Sequence, residues 1–325
     1  MKKQNKLIFG AFIAVIALTG LTLFFGCKKA ATLSLGALPN IDFTATVGTD
    51  GYTVTIVNTS ADPVIPYYTI PDLSLGTGDL NGDTVKVMPT FPGTYKIVMY
   101  AAGQGGIDSV TKSFTTTEPN PAGCDPTKPL GFIASCTQKT WKLNPAPGAM
   151  MVGQNPDDGG WWTSGAGEVT GPTSRPCMFN DEYTFTYDKA GDFVYNDNGD
   201  FYSDDASIMA VHGCYDDSNY AANQAAWGSG NFHYVVIPGG GIKGLGQLKV
   251  VGFGAHLVMQ RPINGTDAFT YVTANSVTYD IWKMTLDSID VDLNHYDFLT
   301  VTFHYGNWSP TDGWWTYTLR ADHAK

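Results

Sequence analysis

The chain has 325 residues, of which 43% are hydrophobic, 13% aromatic and 15% charged, so it has enough apolar mass to fill a core and is not disordered as a whole. Thirty acidic against 19 basic side chains give a formal net charge of −11, which leaves no basic surface for phosphates and excludes nucleic acid as an expected partner. The charged share lies well below the roughly 25% of an average soluble domain while glycine and aromatic residues are plentiful, the profile of a β-rich exported protein.

Met1-Lys-Lys-Gln-Asn-Lys6 precedes the uncharged run Leu7 to Gly26, whose only polar members are Thr19 and Thr22. A run of that length can cross a bilayer, and no A-x-A cleavage site follows it. Phe24-Phe25-Gly26-Cys27 resembles the lipobox of bacterial lipoproteins. The resemblance implies that residues 1–26 are a signal peptide and that Cys27 is acylated, so that lipid and not a helix holds the mature chain. The alternative is a permanent membrane helix followed by an incidental cysteine.

After a tether, 27–38, period-two runs such as Thr53 to Val57, Thr84 to Met88, Thr94 to Tyr100 and Asp108 to Phe114 read as strands. Glycine-rich turns at 76–82 and 103–106 separate them, which predicts a small antiparallel sandwich over 39–118. Ile41-Asp-Phe-Thr-Ala-Thr46, Val57-Asn-Thr-Ser60 and Phe91-Pro-Gly-Thr-Tyr-Lys-Ile-Val98 resemble the PKD group of immunoglobulin-like domains. The W-x-F-G-D-G core of that group is replaced by Tyr68-Thr-Ile-Pro-Asp-Leu-Ser-Leu-Gly76. A proline-rich linker is expected over 119–135.

From 136 to 325 the pattern is again strand and turn, with runs at 183–187, 192–195, 232–237, 247–251, 276–281, 298–305 and 314–319. The expectation is an all-β chain that ends in a larger jelly-roll sandwich. Ser218 to Ala226 is the one helix-compatible piece. Beyond Cys27, the cysteines Cys124, Cys136, Cys177 and Cys214 allow three connectivities in an exported chain. Sequence does not choose among them; Cys124–Cys136 and Cys177–Cys214 are favoured because they close the shorter loops, and the alternative leaves one pair reduced. No cofactor is required, although the acidic turns Asn196-Asp-Asn-Gly-Asp200, Asp204-Asp205 and Asp216-Asp217 offer oxygens to a structural calcium ion. Solvated turns are the plainer reading.

All eight tryptophans fall in 136–325. In Trp314 to Leu319 alternation sends Trp315, Tyr317 and Leu319 to one face and Trp314, Thr316 and Thr318 to the other, which makes Trp315 core. Trp141 and Trp282 sit in strand runs and are also read as core. Trp161 and Trp162 follow Asn155-Pro-Asp-Asp-Gly-Gly160, and Trp308 lies in the loop Tyr305 to Gly313. Such loop rings suit a sugar, whose flat C–H patch stacks on an aromatic face while its hydroxyls meet neighbouring polar groups. The expected carbohydrate site is Trp161, Trp162 and Trp308, with Trp227 and Trp314 as weaker members. The alternative is that these rings plug the ends of the sandwich.

Cys136-Thr-Gln-Lys-Thr-Trp-Lys-Leu143, Trp161-Trp162, Phe179-Asn-Asp-Glu-Tyr-Thr-Phe185, Gly252-Phe-Gly-Ala-His-Leu257 and Trp314-Trp-Thr-Tyr-Thr-Leu319 together resemble the C-terminal module of surface glycan-binding lipoproteins from Bacteroidota polysaccharide-utilisation loci. The resemblance implies an outward-facing outer-membrane protein that holds polysaccharide, with a laminarin-type β-glucan as first guess, near a TonB-dependent importer and its partner binding protein. No catalytic residue is expected. Glu118, Glu168 and Glu182 are the only glutamates, and the adjacent Asp181 and Glu182 would point to opposite faces of a strand, which is a poor basis for paired-carboxylate glycoside hydrolysis. The alternatives are a lipid-anchored structural or adhesion protein that binds another protein and, less favoured, an endo-glycanase.

Overall fold

The computed structural model describes residues 36–71, 80–170, 175–203, 209–222, 224–259, 275–305 and 313–323; Cys27, Trp308 and the Asp204-Asp205 turn lie outside them. The first unit contains β1 (Phe43–Val47), β2 (Val54–Asn58), β3 (Ile65–Thr69), β4 (Thr84–Val87), β5 (Gly93–Gly103) and β6 (Gly106–Thr116). They form two antiparallel sheets, β1-β2-β4 and β3-β5-β6, which share a core that includes Phe43, Ile56, Tyr68, Tyr95 and Ile97. Alternation along β5 sends Tyr95, Ile97, Met99 and Ala101 inward and leaves Thr94, Lys96 and Tyr100 exposed. The Tyr95 hydroxyl donates to the Phe91 carbonyl at 2.7 Å, four residues upstream, and so fixes the turn into β5. Phe91 also faces outward from this unit, and its ring packs 4.8 Å from that of Tyr187 in the second. The Tyr187 hydroxyl donates to the Thr90 carbonyl at 3.3 Å, and burial in this junction pushes its phenol up to about 12.

The second unit opens with a helix inside the stretch expected to be linker, α1 (Pro129–Ala134). Proline is tolerated there because it occupies the first turn, where its missing N–H has no intrahelical partner to lose. Phe132 and Ile133 are buried in the core, the Trp141 indole donates to the Ile133 carbonyl at 2.8 Å, and a disulfide joins Cys124 to Cys136. Then follow β7 (Gln138–Leu143), β8 (Met150–Gly153), β9 (Trp162–Thr163), α2 (Ala166–Thr170), α3 (Pro176–Asn180), β10 (Glu182–Thr186), β11 (Asp192–Asn196), β12 (Asp200–Ser203) and β13 (Gly213–Asp216). The chain ends through β14 (Gly230–Ile237), β15 (Gln247–Val251), β16 (Ser276–Ile289), β17 (His295–His304) and β18 (Trp314–Asp322). A second disulfide ties Cys177 of α3 to Cys214 of β13.

The all-β expectation holds, but the connectivity of the larger unit differs from that of a jelly roll. Its hydrogen-bonded ring runs β7-β10-β11-β14-β15-β16-β17-β18, and β18 pairs with both β17 and β7. Neighbours follow sequence order around the ring, so this is an up-and-down barrel with no Greek-key crossing. Period-two alternation assigns faces, not neighbours, and both architectures share that pattern. β7 and β8 line up end to end along β18, separated by an outward bulge at Asn144–Ala149.

An eight-stranded barrel is just wide enough for side chains to fill, and this one is filled: Trp141, Tyr183, Phe185, Phe193, Tyr279 and Tyr317 are fully buried in its core. Because neighbours are antiparallel, the short connections 187–191, 238–246 and 290–294 leave one end and the long ones 144–181, 197–229, 252–275 and 305–313 leave the other. The Phe91 contact therefore sits at the short-turn end. The long-loop end is closed by Ala255 to Met259, whose Leu257 and Val258 amides donate to the hydroxyls of Tyr279 and Tyr183 at 2.8 and 2.9 Å.

His256 in this plug is buried; its Nδ1–H donates to the Gly254 carbonyl at 2.8 Å, while Nε2 has no hydrogen-bond partner among the described residues. Burial lowers its pKa from 6.5 to about 4, so the unfolded chain binds more protons between these values and stability falls as pH drops through them. The contribution of His256 alone is a loss of about 2 kcal/mol between pH 7 and pH 5, read as the difference in the pH dependence of urea midpoints between the unmodified protein and a His256 variant. His256→Gln should abolish most of it, and an unchanged pH dependence in that variant would contradict this account.

Candidate functional site

The barrel is filled and one end is plugged, so a ligand site on this unit would lie on its outer wall or rim, where Trp161 is exposed. β8 and β9 form a small extension on the edge of β18, with Gly153 opposite Trp314, Val152 opposite Trp315 and Trp162 opposite Val152. Alternation then separates the two adjacent tryptophans. Trp162 turns inward, meeting Trp315 edge-on at 6.1 Å under the Arg175 guanidinium at 5.1 Å, which itself pairs with Glu168 at 2.9 Å. Trp161 turns outward and is 48% exposed. Its ring lies on Gly313: a Cβ built there would come within 2.4 Å of Trp161 Cζ3, so only glycine admits this placement. Trp314, half-buried on the same side, packs edge-on against His304 at 5.1 Å.

The loop that carries Trp161 is pinned across the outer face of the barrel. Asp157, at φ 59°, donates its amide to Thr316 Oγ1 at 2.9 Å and accepts from Trp282 Nε1 at 2.9 Å through Oδ2. A left-handed backbone is unfavourable for a side-chain-bearing residue, less so for Asp, and two hydrogen bonds hold it here. The same loop explains why Thr316, on the outward face of β18, is buried. Trp282 corrects the core reading: Trp141 is fully buried, whereas Trp282 is half-buried with the Lys243 ammonium 4.1 Å from its ring centroid. The signal was present in the inward set Val277, Tyr279 and Ile281, which places residue 282 on the outer face.

The structure therefore brings Trp161 and Trp314 together on the outer wall beside Asp157 and Trp282. It does not bring Trp227 to them. That ring is buried at the end of a short 3-10 turn, Ala225–Trp227, because the helix-compatible stretch before it folds as two such turns against the long-loop end. Trp162 belongs mainly to the packing beneath the site. Trp308 lies outside the described residues, in the stretch that ends at Gly313.

The acidic turns that lie within the described residues carry local hydrogen bonds. Asp197 is buried and accepts from the Gly199 amide at 3.0 Å and from the Ser229 amide and hydroxyl at 2.9 and 2.5 Å, while Asp216 accepts from the Ser218 amide at 2.9 Å. Among the described residues no group of three or more His, Cys, Asp or Glu side chains is placed to hold a metal ion. Burial, with Asp197 close by, raises the Asp217 carboxyl to about 6. Asp181 is buried, and both the Tyr183 and Tyr195 hydroxyls donate to its Oδ2 at 3.1 Å; burial holds its pKa well above the usual carboxylate range. Glu182, one residue on, faces outward to Lys142 at 2.9 Å.

No protein-family model and no curated protein matches the chain. Among solved structures, the crystal structure of the PKD1 domain of Vibrio anguillarum Epp aligns with 26% of this chain and 98% of its own length, at 16% identity and a TM-score of 0.21.

The burial contrast sets a stability order. Trp227→Ala should cost roughly 3–5 kcal/mol in urea unfolding, as for other buried tryptophans, while Trp161→Ala should cost about 1 kcal/mol or less. Equal losses in the two variants would place Trp161 in the core.

Proposed function

We propose that the protein binds an extended polysaccharide on the outer wall of its barrel, at the Trp161 and Trp314 surface, and that it does so as a lipid-anchored, outward-facing outer-membrane protein without catalysing cleavage. The observation that carries the reading is the half-exposed Trp161 ring, laid on Gly313 beside Trp314 and held there by the Asp157 to Trp282 hydrogen bond. A preplaced aromatic face loses little freedom on stacking, which raises affinity without new contacts. Asp157 and His304 supply polar groups for hydroxyls around it. The anchor rests on the lipobox-like Phe24 to Cys27, and delivery of glycan to a TonB-dependent importer and its partner rests on the sequence resemblance.

Affinity electrophoresis against a polysaccharide panel, starting with laminarin, tests the reading. Trp161→Ala should weaken binding roughly tenfold, the size expected from about 1–2 kcal/mol of buried ring surface. Asp157→Ala should weaken it several-fold while Asp157→Asn, which keeps an acceptor for the Trp282 indole, binds as the unmodified protein does. No reducing ends should appear. Folded Trp161→Ala and Trp314→Ala variants that both retain full affinity would sink the proposal, and release of reducing ends would replace it with a hydrolase.

A further inference from the structure

Among the described residues, all the exposed large apolar side chains of the first unit except Met88, which lies toward the barrel, are gathered at one of its ends. Strand register sets Ile65 opposite Ala102 and Ala102 opposite Ile107, and the next outward row sets Tyr67 opposite Tyr100. All five point away from the core, with Ile65 77% and Ile107 68% exposed. Leu38, also exposed, closes the group, because residues 37–39 run across the tip of the β5–β6 hairpin: Pro39 lies against Gly103 and the Ala37 carbonyl against Gly105. A Cβ at Gly105 would fall on that carbonyl, so the chain can cross here only because residue 105 has no side chain.

This tip is the end of β5 opposite Gly93 and Phe91, hence about 30 Å from the contact with the barrel at the ~3.3 Å rise of a strand. It is also where the chain arrives from Cys27. Eight residues, 28–35, separate Cys27 from Gly36, and at ~3.3–3.6 Å per residue the tip cannot lie farther than about 30 Å from an acylated Cys27. We propose that this face, Leu38, Ile65, Tyr67, Tyr100, Ala102 and Ile107, rests on the lipid surface in which Cys27 is anchored. The proposal builds on the lipoprotein reading. Isolated aliphatic side chains enter the boundary between headgroups and acyl chains, and tyrosines suit that zone because the ring is apolar and the hydroxyl wet. A short tether makes even a weak contact effective, since the local concentration of membrane is high. Lys28 and Lys29, next to Cys27, add attraction to anionic headgroups that the acidic chain otherwise lacks. The consequence is an orientation: the first unit stands on the membrane and the barrel is carried away from it.

The test is amide exchange on vesicles of phosphatidylethanolamine and phosphatidylglycerol. The acylated protein in vesicles and a lipid-free chain of residues 28–325, which contains every described residue, are each measured with and without the paired substitution Ile65→Asp and Ile107→Asp. The mass of the N-terminal peptide reports acylation of Cys27 separately. Expected is a roughly fivefold or greater slowing of exchange at 64–69 and 100–108 in the vesicle-bound protein, absent from the variant, with 112–118 unaffected. Exchange that is the same with and without vesicles overturns the membrane face whether or not Cys27 is acylated. Protection that grows with protein concentration in the absence of lipid also overturns it, and assigns the face to a second copy. An unacylated Cys27 with vesicle-dependent protection of the lipid-free chain defeats the lipoprotein reading and leaves the face standing.

Discussion

Closure of the barrel through β18 is the constraint on which the second unit depends. That strand pairs with β17 along its whole length, from Trp314 opposite His304 to Asp322 opposite Tyr296, and on its other edge it is shared by β8 and β7. The seam with β7 is only two residue pairs long, Leu319 with Leu143 and Arg320 with Lys142. An open edge there would expose unpaired backbone groups, and it is β8, joined to β7 through the bulge at Asn144–Ala149, that covers the remainder. One strand thus closes the ring, sends Trp315, Tyr317 and Leu319 into its interior, and presents Trp314 and Thr316 to the loop that carries Trp161.

The same strand shows how far sequence reasoning reaches. Alternation in Trp314 to Leu319 is enough to separate Trp315 from Trp314, because the face of a residue in a strand depends only on its parity. The neighbours of the strand are a different matter. A jelly roll and an up-and-down barrel need the same inward and outward sets, and nothing local distinguishes a hairpin connection from a crossover when the intervening loops run to more than twenty residues. Parity applied to Val277, Tyr279 and Ile281 also places Trp282 on the outside, and reading it by residue type as core overrode that signal. Trp227 failed for the opposite reason. It follows the helix-compatible stretch Ser218 to Ala226, and only the tertiary fold reveals that a 3-10 turn drives the ring into the closed end.

The adjacent pair Trp161 and Trp162 divides one task between two residues. A large ring at the surface is held in place only if something beneath it is rigid, and Trp162, wedged between Trp315 and the Arg175 guanidinium, supplies that support from the next position in the chain. Arg175 is itself held by Glu168 and lies over Tyr202 at 4.2 Å, so the platform is braced by an ion pair and two cation–π contacts that are shielded from bulk water. The glycine at 313 completes the arrangement by removing the one side chain that would lift the Trp161 ring off the backbone.

A filled and plugged barrel restricts the kind of ligand the proposed site can serve. Eight-stranded up-and-down barrels that enclose a small molecule need an interior gap and an open mouth. Here the interior volume is taken by aromatic rings, and the mouth by Ala255 to Met259, whose backbone is bonded to the hydroxyls of two of those rings. Opening the mouth would break both hydrogen bonds and expose a buried His256. A wall site has no such cost, and it sets no limit on what extends beyond it. A chain molecule can lie across the Trp161 and Trp314 surface with both of its ends free, which is the geometry that retaining a polymer at a surface requires and that swallowing a monomer does not.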